Sequence, residues 1–225
     1  MKKILDLTVK ENRKLNEDNF LLVLHSPELP EIRAGQFVNV KIEDSPSTFL
    51  RRPISVHDVN AKEGLLYLLV KIAGQGTAKL STIRPGEKLN VILPLGNWFT
   101  QPQNGRCLLV GGGVGIAPLL HLSRELQAKG LSPVVLIGTR SSKDIVLQKE
   151  FEKYATVHYT TEDGSYGEKG YPTQHSILDT TFDHIFCCGP EPMMKAVARY
   201  AYSKNIDCEV SLENMMACGI GACLC

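Results

Sequence analysis

The sequence predicts two domains of different class in series. An antiparallel six-stranded β-barrel comes first, and a Rossmann-like parallel sheet covered by helices follows it. Three observations carry this. From Ile4 to about Leu95, short apolar or alternating runs are separated by Pro, Gly and Asp, with little helical periodicity. Beyond Gly96, strand-like runs alternate with amphipathic helical stretches, which is the mark of a parallel sheet with both faces covered. Between the two regimes, Gln, Pro, Asn and Gly accumulate from Trp98 to Gly105, where a boundary is expected. Residues 1–100 then make the barrel domain and 101–212 the α/β domain. Residues 213–225 begin a cysteine-rich segment of their own.

In the first half, Leu5 to Val9 alternates, Phe20 to Leu24 is an apolar run closed by Ser26-Pro27, and Gly35 opens an alternating stretch to Ile42. Leu50 to Val59, Leu65 to Ile72 and Leu89 to Leu93 supply the other three strands. In the second half, strands are expected at Arg106–Val110, Pro133–Gly138, Thr156–Thr160, Phe182–Cys188 and Cys208–Leu212. Helical patterns run over Ile116–Lys129, Asp144–Tyr154 and Glu191–Ser203.

Charge and composition exclude several classes. Lys+Arg 25 against Asp+Glu 24 leaves no field that would draw nucleic acid or an anionic membrane. An acid, Asp6, interrupts the start before any signal-like apolar run, and no stretch is long and apolar enough to span a bilayer, so a cytoplasmic location is expected. Seven cysteines is an odd number with no secretory context. Cys107, Cys187, Cys188 and Cys208 fall in apolar stretches and read mostly as small buried hydrophobes. Cys218, Cys223 and Cys225 crowd the last positions and do not.

Two segments look built for phosphate. The first pairs Leu50-Arg51-Arg52-Pro53-Ile54-Ser55 with Ala73-Gly74-Gln75-Gly76-Thr77. Arg52 offers a fork for phosphate and Ser55 a hydroxyl, but a regular strand would send them to opposite faces. Pro53, at a strand start or bulge, would change that geometry. Gly76 allows close backbone approach, and Thr77 is the expected N-cap of a short helix through Leu80. Together on a barrel these suit a flavin nucleotide; the alternative is a surface Arg pair before an edge strand. The second segment is Val110-Gly111-Gly112-Gly113-Val114-Gly115-Ile116-Ala117-Pro118, after a buried strand and opening a helix, the context of a dinucleotide loop. Gly111, Gly113 and Gly115 allow the close approach, and Pro118 takes the place of the last glycine of the usual pattern. After the next strand a ribose-reading acid is expected, yet Arg140 and Ser141 stand there, and Arg140 with Lys143 would suit a 2′-phosphate. NAD and NADP both stay open. Cys188-Gly189-Pro190 ends a later strand, where ligands of open sheets bind; Cys188 stands near a nicotinamide or is a core thiol.

Arg52 to Ser55, Gly76-Thr77, the Gly111–Pro118 loop and Cys188-Gly189-Pro190, in this order, resemble the ferredoxin–NADP reductase superfamily over nearly the whole chain. Ile54 stands where many members have a tyrosine that stacks on the flavin. Leu50-Arg51-Arg52-Pro53-Ile54-Ser55 and Met216-Ala217-Cys218-Gly219-Ile220-Gly221-Ala222-Cys223 are similar to signatures of the electron-transfer subunits of type B dihydroorotate dehydrogenases. The resemblance implies FAD contacts at Arg52, Pro53, Ile54, Ser55, Leu69, Val70, Lys71, Gly76 and Thr77. It implies a [2Fe–2S] cluster held by C-terminal cysteines, NAD as electron acceptor, and an FMN-containing catalytic partner in a heterotetramer of two subunits of each kind.

Cys218 and Cys223 have the x₄ spacing of plant-type [2Fe–2S] sites, but the next ligand falls one position past Cys225 and a fourth is absent. This stretch is therefore not expected to hold an intact cluster unaided. Either further ligands lie beyond it or the cluster has been lost; the first is favoured, because a terminus inside a metal loop would expose reactive thiols. The leading expectation is an oxidoreductase subunit that passes electrons from the partner's FMN through the cluster and FAD to NAD⁺ in pyrimidine (UMP) biosynthesis, with no acid–base dyad of its own. One alternative is a reductase subunit of a hydrogenase or sulfite reductase, relatives that usually carry Lys where Ala217 and Ala222 stand. The other is a non-catalytic flavin- or nucleotide-binding regulator.

Overall fold

The computed structural model describes residues 1–43 and 48–212. The expected metal ligands Cys218 and Cys223 lie outside the described residues, as does Cys225. Among the described residues, Met1–Trp98 form one compact unit and Phe99–Leu212 a second.

The first unit is a closed antiparallel barrel of β1 (Lys3–Lys14), β2 (Asn19–His25), β3 (Phe37–Val40), β4 (Arg52–Asn60), β5 (Leu65–Lys71) and β6 (Lys88–Leu95), in the order β1-β2-β5-β4-β3-β6. Its interior is filled by the inward members of the alternating runs, among them Leu7, Leu22, Val38, Val56, Leu68 and Val91. A short helix, α1 (Gln75–Leu80), follows β5 and is anchored by the buried Leu80. Asn12 of β1 donates to the carbonyls of Leu80, Ser81 and Ile83, capping the end of α1. Arg51 belongs to the scaffold: its guanidinium donates to the Asn39 and Asn90 carbonyls, and Asn90 donates in turn to Asp6, joining β3, β6 and β1.

The second unit is a six-stranded sheet of β7 (Cys107–Gly112), β8 (Val134–Thr139), β9 (Thr156–Thr161), β10 (Glu168–Lys169), β11 (His184–Cys188) and β12 (Asp207–Val210), all parallel, in the order β10-β9-β8-β7-β11-β12. The chain steps from β7 to β8 and β9 on one side, then returns to lay β11 against the other side of β7. The strand order reverses there, at the place where open sheets bind ligands. Helices α2 (Ala117–Ala128), α3 (Gln148–Glu152) and α4 (Glu191–Lys204) complete the unit. No helix among the described residues is long and apolar enough to cross a membrane.

The third helix is a correction. The expected helix over Asp144–Tyr154 is only Gln148–Glu152, because Leu147 adopts a left-handed φ of 56° and ends any continuity with the 3-10 turn at Ser142–Asp144. Between β9 and β11 the crossover is a strap of turns. Pro172 lies where a side chain on Gly138 would stand, and buried His175 pins the strap: its Nδ1 accepts from the Ile177 N–H at 2.9 Å, and its Nε2 faces Glu168 at 3.5 Å. Burial pushes the His175 imidazole below its ordinary 6.5; Glu168 opposes the fall and His158 adds to it. A group depressed in the folded state contributes fully above its unfolded pKa and loses that contribution as pH falls through the folded value. The thermal midpoint is therefore expected to drop on acidification from pH 6.5 downward, before the carboxylates titrate, and His175→Gln to flatten that step. Melts at stepped pH check this; a flat midpoint in wild type over that window counts against it.

Candidate functional site

In the barrel unit, Arg52 opens β4 opposite Val40, and the pairing with β3 continues without a break through Pro53, Ile54 and Ser55. Pro53 therefore makes no bulge; the register break of β4 lies further on, between Val56 and Asp58. Ile54 points into the barrel core with Val38 and Val40, so Arg52 takes the inner side at the barrel mouth, while Pro53 and Ser55 take the outer. Arg52 and Ser55 do not share a strand face. What joins the predicted residues is the neighbouring gap. Pairing between β4 and β5 runs from Asn60–Leu65 to Val56–Leu68 and does not extend to Arg52–Ser55 or Leu69–Lys71. Among the described residues, Leu69, Val70 and Lys71 pair with β2 and not with β4, which leaves their β4-side edge out of the ladder. Leu69 and Val70 have buried side chains, so what they offer a ligand is backbone; the Lys71 side chain is exposed.

Helix α1 starts beside the Arg52 end of this gap. Its N-cap is Gly74 and not Thr77, which sits one turn in and accepts from the Ala73 and Gly74 N–H groups at 2.9 and 3.2 Å. A methyl group on Gly76 would stand 3.1 Å from Arg52 Cδ and 3.2 Å from Nε, so the glycine lets the guanidinium stem lie against the helix start. The Arg52 guanidinium donates through Nε and Nη2 to the Leu50 carbonyl at 3.2 and 2.9 Å. The arrangement can present a cation and strand-edge amides to an anionic, planar ligand.

In the α/β unit, β7 ends in the glycine run and passes through a 3-10 turn at Gly113–Ile116 into α2, with Pro118 in the first helical turn. The glycines do different things. A Cβ on Gly115 would stand 2.5 Å from both the Cys188 carbonyl oxygen and Gly189 Cα, and one on Gly111 would stand 2.7 Å from Ile116 Cγ2. Gly113 has φ 55° and open space around it, so it serves the backbone path and not packing. Gly111 pairs with Cys188 in the β7–β11 ladder, and Gly189 follows with φ 156° before Pro190 caps α4. The two segments picked from sequence thus meet at the strand-order reversal. Cys188 is buried at this strand end. Cys107 and Cys187 are core thiols whose burial pushes them up, Cys107 to about 11, which keeps them protonated and unreactive. Arg140 is largely exposed after β8, 3.9 Å from Asp144. The turn folds Asp144 back beside Ser141, whose N–H and hydroxyl donate to its carboxylate. Among the described residues no group of His, Cys, Asp and Glu could hold a metal ion.

Comparison with known proteins agrees with both halves. Residues 6–99 match the oxidoreductase FAD-binding domain family and residues 109–199 the oxidoreductase NAD-binding domain family. A dihydroorotate dehydrogenase B (NAD(+)) electron transfer subunit from Fusobacterium nucleatum is 35% identical over 98% of this chain and 88% of its own length. The protein of the same description from Streptococcus mutans is 36% identical over 97% and 85%. Among solved structures, a chain of an NADH-dependent reduced ferredoxin–NADP oxidoreductase superposes with a TM-score of 0.85 at 33% identity, covering 96% of this chain and 80% of that one. The cytochrome b5 reductase domain of Ulva prolifera nitrate reductase superposes at 0.75 with 18% identity, over 92% and 97%, and shows the fold alone. The chain belongs to the family of dihydroorotate dehydrogenase B electron transfer subunits.

Proposed function

We propose that this chain carries electrons between a catalytic partner and NAD⁺ through FAD held in the barrel unit, with the α/β unit presenting the nucleotide. The observation that supports this most directly is the unpaired gap between β4 and β5, flanked by Arg52 lying against Gly76. Arg52 would hold the flavin's phosphates, the strand edges of Arg52–Ser55 and Leu69–Lys71 would meet its ring system, and the Ser55 hydroxyl would bond it. The Gly111–Gly115 loop would hold the pyrophosphate of the nucleotide at the start of α2, and Cys188-Gly189-Pro190 would border the nicotinamide. Flavin chemistry joins single-electron donors to a two-electron acceptor, so the protein's part is placement and exclusion of water. In the finer reading, the donor is a partner's FMN, which oxidises dihydroorotate for pyrimidine synthesis. A [2Fe–2S] cluster with Cys218 and Cys223 among its ligands relays the electrons, in a cytoplasmic heterotetramer.

The test is to purify the chain with an FMN-containing candidate partner and follow dihydroorotate-dependent NAD⁺ reduction. Activity that needs both chains is the expected result, together with bleaching of the flavin band by NADH in this chain alone. A colourless chain that gains no activity from any such partner would sink the reading. Iron and labile-sulfide content of the complex, prepared without oxygen, checks the cluster separately. A second reading, a reductase subunit of a different complex, draws on the likeness to the ferredoxin–NADP oxidoreductase chain. NADH-driven bleaching without any dihydroorotate-dependent activity would favour it.

A further inference from the structure

We propose that a cavity at the β9 edge of the α/β sheet is a binding site for a small organic ammonium ion with an apolar body. The site is separate from the dinucleotide loop: in the order β10-β9-β8-β7, strand β8 stands between β9 and the glycine run. The outer edge of β9 pairs with β10 at Thr160 and Thr161, and from Thr156 to Tyr159 no strand among the described residues lies beside it. The cavity opens along that bare edge. Its volume is about 510 Å³, within the range of about 300–1,000 Å³ usual for small-molecule sites. The turn before β10 brings the walls together. A Cβ on Gly167 would stand 2.1 Å from the Tyr159 carbonyl oxygen, so the turn lies tight against β9. Thr161 Oγ1 holds Tyr166 there, accepting from its N–H at 3.0 Å and donating to its carbonyl at 2.8 Å. Tyr166 then meets Tyr159 edge to face with ring centroids 5.2 Å apart, and His158 meets His175 in the same manner at the same separation.

Two polar groups of this lining decide the class of ligand. Tyr159 is 6% exposed, and its buried hydroxyl makes no hydrogen bond among the described residues. A buried hydroxyl without a partner is costly, and a donor N–H entering the cavity would satisfy it. Burial first, then Glu152 and Tyr166, push the Tyr159 phenol up, so it stays neutral. Glu168 is the one carboxylate of the lining, and no lysine or arginine stands in it. Its oxygens accept from the Ser176 hydroxyl and from the Ser176 N–H at 2.9 Å, bonds that lower its pKa and keep it ionised. A carboxylate can accept about four hydrogen bonds. With its side chain 42% exposed, Glu168 keeps positions for a ligand. The four rings, with Val157 and Ile177, supply the apolar wall, and aromatic rings also attract a cation. An ammonium ion would donate to Glu168 and to the Tyr159 oxygen while its body rests on the rings. A carboxylate or phosphate of the same size would meet the Glu168 charge with no lysine or arginine to offset it.

The experiment is titration of the full chain at neutral pH with 2-phenylethylammonium, 2-phenylethanol and phenylacetate, probes of matched body and different charge, followed by backbone amide NMR shifts. The ammonium is expected to bind saturably, to move the Gly167 and Ser176 amides, and to bind about tenfold more tightly than the alcohol or better. Phenylacetate is expected to leave those amides unmoved. Glu168→Gln keeps an acceptor for Ser176 and is expected to bring the ammonium down to the affinity of the alcohol. Tyr159→Phe is expected to weaken the ammonium by about three- to tenfold. Its melting temperature is expected to equal or exceed that of wild type, because the lost hydroxyl bonds nothing among the described residues. A wild type whose Gly167 and Ser176 amides ignore the ammonium overturns the assignment. Phenylacetate binding as tightly as the ammonium, or unchanged ammonium affinity in either variant, overturns it too.

Discussion

Gly115→Ala is expected to destabilise the α/β unit by about 1–3 kcal/mol and to weaken nucleotide binding well beyond what its size suggests. The added carbon would stand 2.5 Å from the Cys188 carbonyl oxygen, 2.5 Å from Gly189 Cα and 2.7 Å from the Cys188 carbonyl carbon. All three are backbone atoms at the end of β11, a strand locked to β7 from His184–Cys107 to Cys188–Gly111. No side chain can rotate away, so the glycine loop and the β11 end must separate at the strand-order reversal. The groups that would hold a pyrophosphate move with them. Gly113→Ala is the control that separates packing from backbone path. Its φ of 55° opposes a side chain, but nothing lies within 4 Å, so only the left-handed penalty of about 1–2 kcal/mol applies, with no displacement of β11. Urea unfolding and ADP-ribose titration of both variants check this. A Gly115→Ala protein with wild-type stability and affinity would mean that the two strand ends are not packed as described.

The barrel was legible because its strands alternate: Leu7, Leu22, Val38, Val56, Leu68 and Val91 all face one interior, and a period of two is a strong signal. That the Gly111–Gly115 loop and Cys188-Gly189-Pro190 each stand at the carboxyl end of a buried strand was legible for a similar reason, since both follow continuous apolar runs; that the two segments touch was not, because strand order is not written in either run. Local geometry was not. Leu147 and Phe151 stand four residues apart, as on one face of a helix, yet Leu147 turns left-handed and only five residues stay helical. Thr77 has the chemistry of an N-cap, but the cap is Gly74, which has no side chain to announce it. The strap after β9 has no period at all. It is held by side-chain bonds from His175, Glu168 and Gln174 to its own backbone, pairings that sequence spacing does not reveal. Of the adjacent pair Arg51 and Arg52, only the hydrogen bonds of the folded chain separate the scaffold guanidinium from the one at the gap.

Arg52→Ala is expected to weaken flavin binding by about 1.5–3 kcal/mol, roughly ten- to a hundredfold in Kd, with little loss of fold stability. The asymmetry follows from what the side chain touches. Its bonds within the protein go to the Leu50 carbonyl, two residues away and near the surface, where water can replace them. Its stem rests on Gly76, and truncation there opens space without burying an unpaired charge. The cation itself stands at the mouth of the β4–β5 gap, beside the first turn of α1, and a dinucleotide phosphate placed there would gain a charge-assisted fork from it. Arg52→Lys is expected to fall between, since it keeps the charge and loses the fork. The difference between wild type and Arg52→Ala should shrink as salt is raised, because a partly exposed charge contact is screened. Flavin occupancy after gel filtration and equilibrium Kd from flavin fluorescence, each at low and high salt, measure all of this. Equal Kd values across the three proteins would remove Arg52 from the flavin site and, with it, the reason for placing the phosphates at α1.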